Sequence, residues 1–256
     1  MFSQYEKLVR KLTTTKYTGK TYTVAGNEVT FEDLDRFRLV ELPRIYKEQG
    51  YITLNQLISL HDWKMARGKF RPALPKMIRG NNEELVINST REAMGIVTKA
   101  NDDIYKQLEG VKPLIAMRGV GPATAILILS LISDLPFYGD EAFKLLNPEY
   151  GKMKYTMKEY MDWLPKMILL SKRMKIELNT LECMLWYLDM VEQTGDEFSG
   201  TEVEKSQLEQ LKEALSQVLV SKTEIEQPNV KGRNSVKSGR ITKPRKKTST
   251  VKGICQ

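Results

Sequence analysis

Along most of the chain apolar residues return every three or four positions. Leu54, Leu57, Ile58 and Trp63 form one such series, Met161, Leu164, Ile168 and Leu169 a second, and Val203, Leu208, Leu211, Leu215 and Leu219 a third. That spacing puts each series on one face of a helix. The ends of the predicted helices are marked as well. A Thr or Asn stands three residues before an acid or amide able to return the hydrogen bond of a cap, at Thr53 with Gln56, Asn81 with Glu84, Thr156 with Glu159, Asn179 with Glu182, and Thr201 with Glu204. Gly50, Gly68, Gly80, Gly110 and Gly195 sit where such helices should stop. The first 29 residues read differently. A short helix is expected over Glu6 to Leu12, after which Tyr22 to Val29 alternates about a Gly26-Asn27 turn like a small β-hairpin.

The expected fold is therefore all-α, with eight or more short helices. Residues 1–29 read as an N-terminal extension, residues 30–195 as the helical domain, 201–220 as a separate amphipathic helix and 221–256 as a tail. Charge sharpens the last boundary. The net charge is +8, and residues 221–256 alone hold ten Lys and Arg against two Glu, so the preceding 220 residues are neutral overall. Rich in Ser, Thr and Gly, and carrying Lys243-Pro244-Arg245-Lys246-Lys247, the tail lacks the apolar residues to fold and reads as a disordered basic arm. Nuclear import, nucleic-acid contact and mere solubility each suit such an arm.

Several classes of function are excluded. The longest apolar run, Ala125 to Ile132, is broken by Ser130 and falls far short of the ~20 residues a bilayer demands, so no membrane partner is expected. Met1 to Glu6 has neither the basic start nor the apolar stretch of a secretory signal. A nuclear location is the expectation, with the cytoplasm as a second compartment. Two cysteines, Cys183 and Cys255, cannot build a disulfide framework or a thiolate metal site, and one histidine, His61, cannot build a multi-histidine site. No cofactor or metal is expected from these residues.

The most informative stretch is Met117-Arg118-Gly119-Val120-Gly121-Pro122-Ala123-Thr124-Ala125, between Pro113-Leu114-Ile115-Ala116 and the apolar helix Ile126 to Ile132. Two glycines around one apolar residue permit a tight reversal, and Pro122 suits the first turn of a helix. Val120 should turn inward and lock the flanking helices. The reversal leaves backbone N–H groups pointing outward at the positive end of a helix, which suits a phosphate. A dinucleotide loop would need a preceding strand and a third glycine, and a Walker loop a Gly-Lys-Ser/Thr; neither is present. A helix–helix turn kept only for packing is the plain alternative.

Arg118 to Ala125, the apolar helix after it and Leu135-Pro-Phe-Tyr-Gly-Asp-Glu-Ala-Phe143 together resemble the helix-hairpin-helix and Gly/Pro-Asp signature of the DNA glycosylase superfamily. Trp63 to Pro72 adds a resemblance to a group of fungal and animal proteins related to those enzymes, covering roughly residues 50 to 190. The resemblance implies a multi-helix glycosylase-like domain. It implies that the amides around Arg118, Gly119, Val120, Gly121, Ala123 and Thr124 hold a DNA phosphate, with a monovalent cation on the hairpin carbonyls. It implies also that Asp140 assists base excision. Where relatives that cleave the strand carry a Schiff-base lysine, this chain has Ala123, so the implied activity is monofunctional. The four-cysteine cluster of some members is absent, and Glu141 follows Asp140 where a small hydroxyl residue is usual.

Residues 62–79 hold Lys64, Arg67, Lys69, Arg71, Lys76 and Arg79 against Asp62 alone, with Trp63 and Phe70 interleaved. This basic bend could contact phosphates while a ring stacks on a base, or it could be a solvated helix face. Asp140 likewise has two readings: a carboxylate that stabilises charge on the sugar as the base leaves, or a cap for the helix beginning at Glu141. Two functions follow. One is a monofunctional glycosylase-like enzyme; the other is a non-catalytic DNA-binding or adaptor protein that recruits a protein partner through the helix at 203–219. A hairpin used only for protein association is a weaker third.

Overall fold

A computed structural model of the chain describes residues 2–194 and 201–221. Gly195 and all of the basic tail beyond Ser221 lie outside the described residues. The described chain is mostly helical. Helix α1 (Phe2–Thr14) leads into a hairpin of β1 (Tyr22–Val24) and β2 (Asn27–Val29), followed by α2 (Phe31–Arg36), a π-helical turn (Phe37–Glu41) and α3 (Leu42–Gln49). Then come α4 (Leu54–Arg67), α5 (Ala73–Arg79), α6 (Glu83–Ala100), α7 (Ile104–Gln107), a 3-10 turn (Leu108–Gly110) and α8 (Val111–Leu114). After the reversal at 117–121 follow α9 (Pro122–Leu129), α10 (Asp140–Leu146), α11 (Met157–Met174), α12 (Leu178–Thr194) and α13 (Glu202–Val220).

Reciprocal capping boxes form at Thr53, Thr156 and Thr201, because each hydroxyl accepts the N3 amide and the N3 side chain returns to the cap. Two expected caps are corrected. Asn82, not Asn81, caps α6, and the first amides of α12, on Leu178 and Asn179, are met by the carboxylate of Asp134 from across the fold. Gly110 is no stop either. A Cβ there would lie 2.9 Å from Leu129 Cδ2, so the glycine is demanded by the close approach of α9. In the hairpin, Val24 pairs with Asn27, which moves the turn one residue back to Ala25-Gly26, both at positive φ as a tight two-residue hairpin turn needs.

Two further expectations change. The segment read as an N-terminal extension belongs to the core: Tyr5, Leu8, Val9 and Leu12 of α1 are buried, and α1 packs on α2 and α12. Of the apolar series on α13, Leu208, Leu211 and Leu215 are buried where the helix lies on α11 and α10, while Val203 and Leu219 at its two ends are exposed.

At the centre lies α9, whose residues from Ala123 to Leu129 are all buried. A short helix that is apolar on every side must be enclosed by others, and only its first turn can reach the surface. Beside it a polar layer crosses the core. Arg67 pairs with Glu182 at 3.0 Å and lies between the rings of Trp63 and Trp186, with its Cζ 4.8 and 4.4 Å from their centroids. The Asp35 carboxylate accepts from Tyr5 Oη and Trp63 Nε1 in the same layer. A buried pair of this kind is costly to break because the surviving charge is left unmatched.

Candidate nucleic-acid interface

The reversal between α8 and α9 is built from unequal glycines. Gly119 adopts φ +79, and a Cβ there would meet Met77 Cβ at 3.0 Å, so its side-chain-free backbone serves close packing against α5. Gly121 is extended, and a Cβ there would meet nothing within 4 Å. Between them Val120 turns inward and is buried. Its N–H closes the turn on the Met117 carbonyl, while the Gly121 carbonyl takes the amides of Thr124 and Ala125. Among the described residues the N–H groups of Gly119 and Gly121 have no backbone acceptor, and that of Ala123, in the first turn of α9, has none within the helix. Gly121 and Arg118 are exposed.

A side chain outside the expected set fixes this turn. Asn81, buried after α5, accepts the Arg118 N–H and donates to the Arg118, Ile78 and Met77 carbonyls. The carbonyls of Met117, Arg118 and Gly121 are thus already engaged within the protein. The monovalent cation implied by the family resemblance would share these carbonyls, each of which can offer a second lone pair.

Next to the first turn of α9 opens a cavity of about 270 Å³, with Gly119, Gly121 and Thr124 on one side and Gly139, Asp140 and Glu141 on another. Lys64, Lys69, Arg71, Lys154 and Tyr155 complete its rim, and Phe137 and Tyr138 stand in its wall. Asp140 does not cap α10. Gly139 holds the cap position without a side-chain bond, while Asp140 Oδ1 accepts the Tyr155 hydroxyl at 2.7 Å. The Tyr138 hydroxyl is buried without a hydrogen-bond partner among the described residues.

Lys64 Nζ donates to Thr124 Oγ1 at 2.7 Å, joining α4 to the base of the hairpin. Burial, with Arg71 adding repulsion, pulls this amine down to about 8 against the attraction of Asp140. Glu141 moves the other way. Burial, with the charges of Asp140 and Glu182, lifts its carboxyl to about 7 despite the opposing pull of Arg67. Carboxylates side by side in unlike surroundings are a common means of dividing acid and base roles.

The expected basic residues separate into two groups. Lys69 and Arg71 are exposed at the cavity mouth beside Phe70, which is 61% exposed, and the Arg71 guanidinium lies 4.9 Å over the Tyr155 ring. Arg67 differs from them: its side chain is buried, with Nη2 on Glu182 and the guanidinium between the two tryptophans, and it reaches the cavity only as part of the inner lining. Ala123 and Thr124 have buried side chains and can contribute only main chain or, for Thr124, the Lys64 contact.

Sequence reasoning overlooked Lys154 and Tyr155. They stand on a loop anchored by Glu159, whose carboxylate, against the cost of burial, is held down at about 2 by the Thr156 and Lys154 amides and the Tyr150 hydroxyl. Tyr155 takes φ +58, an uncommon conformation for a bulky residue and one kept up by its contacts to Asp140 and Arg71. The one sequence sign of this loop is the Thr156-Glu159 capping box directly after it.

No family model, curated protein or solved structure matches this chain.

Proposed function

We propose that the chain binds nucleic acid through the reversal at Arg118 to Gly121 and admits one nucleobase to the adjoining cavity, where Asp140 promotes hydrolysis of the bond between base and sugar. The supporting observation is a juxtaposition: unpartnered main-chain donors at an exposed helix start beside a cavity that holds a carboxylate, two aromatic side chains and a basic rim. Donors of that kind suit a sugar-phosphate backbone, and Lys69, Arg71, Lys154 and Arg118 extend the positive surface. At about 270 Å³ the cavity is smaller than the ~300–1,000 Å³ typical of drug-sized ligand sites, which suits a single base. Phe70 at the mouth is a candidate to stack in the duplex or on a base.

The carboxylate of Asp140, oriented by Tyr155, would face the positive charge that grows on the sugar as the base departs, or orient the attacking water. Glu141, protonated in part near neutral pH, would be the neighbouring proton donor. The second reading is a DNA-binding protein without excision. It is favoured by the Tyr155 hydroxyl, which already occupies Asp140 Oδ1. Incubating the whole protein with duplexes carrying a panel of damaged bases, with Asp140→Asn as the control, separates the two. Base release by the wild type and its loss in the variant supports the enzyme; tight, salt-sensitive duplex binding with no release from any substrate supports the binder. Failure to bind duplex at all overturns both.

A further inference from the structure

The cavity beside the hairpin is unevenly charged. Lys64, Lys69, Arg71 and Lys154 line it against Asp140 and Glu141, and among the described residues none of these four cations forms an ion pair. Arg67, deeper in the lining, is matched by Glu182. The two acids do not restore the balance. Glu141, lifted to about 7 chiefly by burial, is partly protonated at neutral pH, and one oxygen of Asp140 already accepts the Tyr155 hydroxyl. Lys64 Nζ gives one proton to Thr124 Oγ1, and an ammonium has two more to offer. Burial draws that amine down to about 8, which leaves it mostly cationic at pH 7.

A cationic guest would need a free ring face, and the rings of the lining are occupied. Phe137 and Tyr138 are buried in the wall: Phe137 lies edge-on to Trp63 with centroids 5.4 Å apart, and Tyr138 is packed edge-on among Phe143, Tyr155 and Tyr160. Tyr155, at the rim, carries the Arg71 guanidinium 4.9 Å over its ring. Attraction between a cation and a ring face is what an aromatic wall would offer a positively charged base, and here a cation of the protein holds that place. Phe70 is exposed at the mouth and is no part of the lining.

We propose that the cavity selects nucleobases that are neutral or acidic and rich in carbonyl oxygens, as deamination and oxidation produce, over bases made cationic by N-alkylation. The inference rests on the reading of this cavity as the seat of an extruded base. Lys64 and Arg71 would donate to the carbonyl oxygens and repel a base with a charge of their own sign. Departure of the base asks for the same polarity. When the bond between C1′ of the sugar and the ring nitrogen breaks, its electron pair leaves with the base. A proton from Glu141 then neutralises the base, the oxygen of water bonds C1′, and the proton that water loses passes to Asp140. Cations beside the ring stabilise the electron pair as it arrives. A base that is already cationic departs neutral and gains nothing from them.

The experiment uses the full chain and duplexes whose target purine sits on 2′-fluoroarabinose, a sugar that resists cleavage, so that binding is read apart from excision. Xanthine, guanine and 7-methylguanine are close in size and differ in charge; each is placed opposite a tetrahydrofuran gap, which removes differences in pairing. At pH 7 xanthine should bind tightest and 7-methylguanine weakest, with a span of at least about tenfold. Their ratio cancels the phosphate contacts that the duplexes share. Lys64→Met should shrink the ratio at least about threefold. Should that half-buried substitution fail to melt cooperatively, Arg71→Gln, at an exposed position, takes its place with the same expected effect. Arg118→Gln, outside the lining, should weaken all three duplexes alike and leave the ratio unchanged. Equal affinities, tighter binding of 7-methylguanine, or a ratio that falls as far in Arg118→Gln as in the cavity variant overturns the proposal. A preference for xanthine without release of any base from ordinary deoxyribose duplexes sustains the selection and overturns the excision; release without preference does the reverse. Absence of duplex binding overturns both.

Discussion

Asn81 clasps the peptide of Arg118 from both sides: its Oδ1 accepts the Arg118 N–H at 2.7 Å and its Nδ2 donates to the Arg118 carbonyl at 2.9 Å. The pairing spans 37 residues of sequence and ties the end of α5 to the hairpin, so the hairpin's outward amides are oriented by a residue that never faces solvent. Asn81→Ala should cost about 1–3 kcal/mol of stability, since a buried amide and carbonyl lose their partners. If the hairpin is the DNA contact, duplex affinity measured under conditions where the variant is fully folded should fall as well. Wild-type affinity in a destabilised Asn81→Ala would place DNA binding elsewhere on the surface.

The two hairpin glycines should respond in opposite ways. Gly119→Ala forces a side chain into the left-handed region and toward Met77, for an expected loss of about 1–2 kcal/mol in chemical denaturation. Gly121→Val meets open space, so stability should stay within about 0.5 kcal/mol of wild type. Its branched side chain would stand over the free amides, and duplex affinity should drop. Equal affinity of Gly121→Val and wild type would exclude close approach of a phosphate at this turn.

These glycines also mark how far the sequence could be read. Periodic apolar spacing and the Thr53, Thr156 and Thr201 caps obey rules that operate within one turn of helix, and they reappear in the structure. Residues with a distant duty escaped. Asn81 fits a local cap signature but is needed by Arg118, Asn179 fits another but yields its helix to Asp134, and Gly110 resembles a stop but makes room for Leu129. The cavity is legible in part for the same reason. Lys64, Lys69, Arg71 and Asp140 lie in conspicuous runs, whereas Tyr155 gains its meaning from a hydroxyl that reaches Asp140 across a loop. Arg67 was indistinguishable from its exposed neighbours until Glu182, 115 residues away, lay beside it.

Lys64 predicts a pH dependence of binding. With its amine at about 8, the side chain is cationic below that pH and loses its charge as the pH rises through it. A phosphate favours the charged form, so binding should take up part of a proton near pH 8. Duplex affinity should weaken between pH 7 and pH 9, by up to about tenfold for one charged hydrogen bond. Lys64→Arg, charged throughout, should flatten that slope. A slope of the same size in the variant would assign it to another group.

Glu141 predicts a pH dependence of stability, and its sign is opposite to that of an ordinary paired carboxylate. The folded carboxyl titrates at about 7, chiefly through burial, whereas in the unfolded chain it titrates at about 4.3. Below the unfolded value the group is neutral in both states and its favourable contribution is fully present. As the pH rises through 7, the folded protein must ionise a desolvated group next to Asp140 and Glu182, and that contribution is lost. Glu141→Gln keeps the neutral shape at every pH. Its melting temperature should match wild type near pH 4 and exceed it by a margin that grows from about pH 4.3 to about pH 7 and levels off above that. A gap constant from pH 5 to pH 8 would mean that solvent reaches the carboxylate freely, and the acid role given to Glu141 beside Asp140 would go with it.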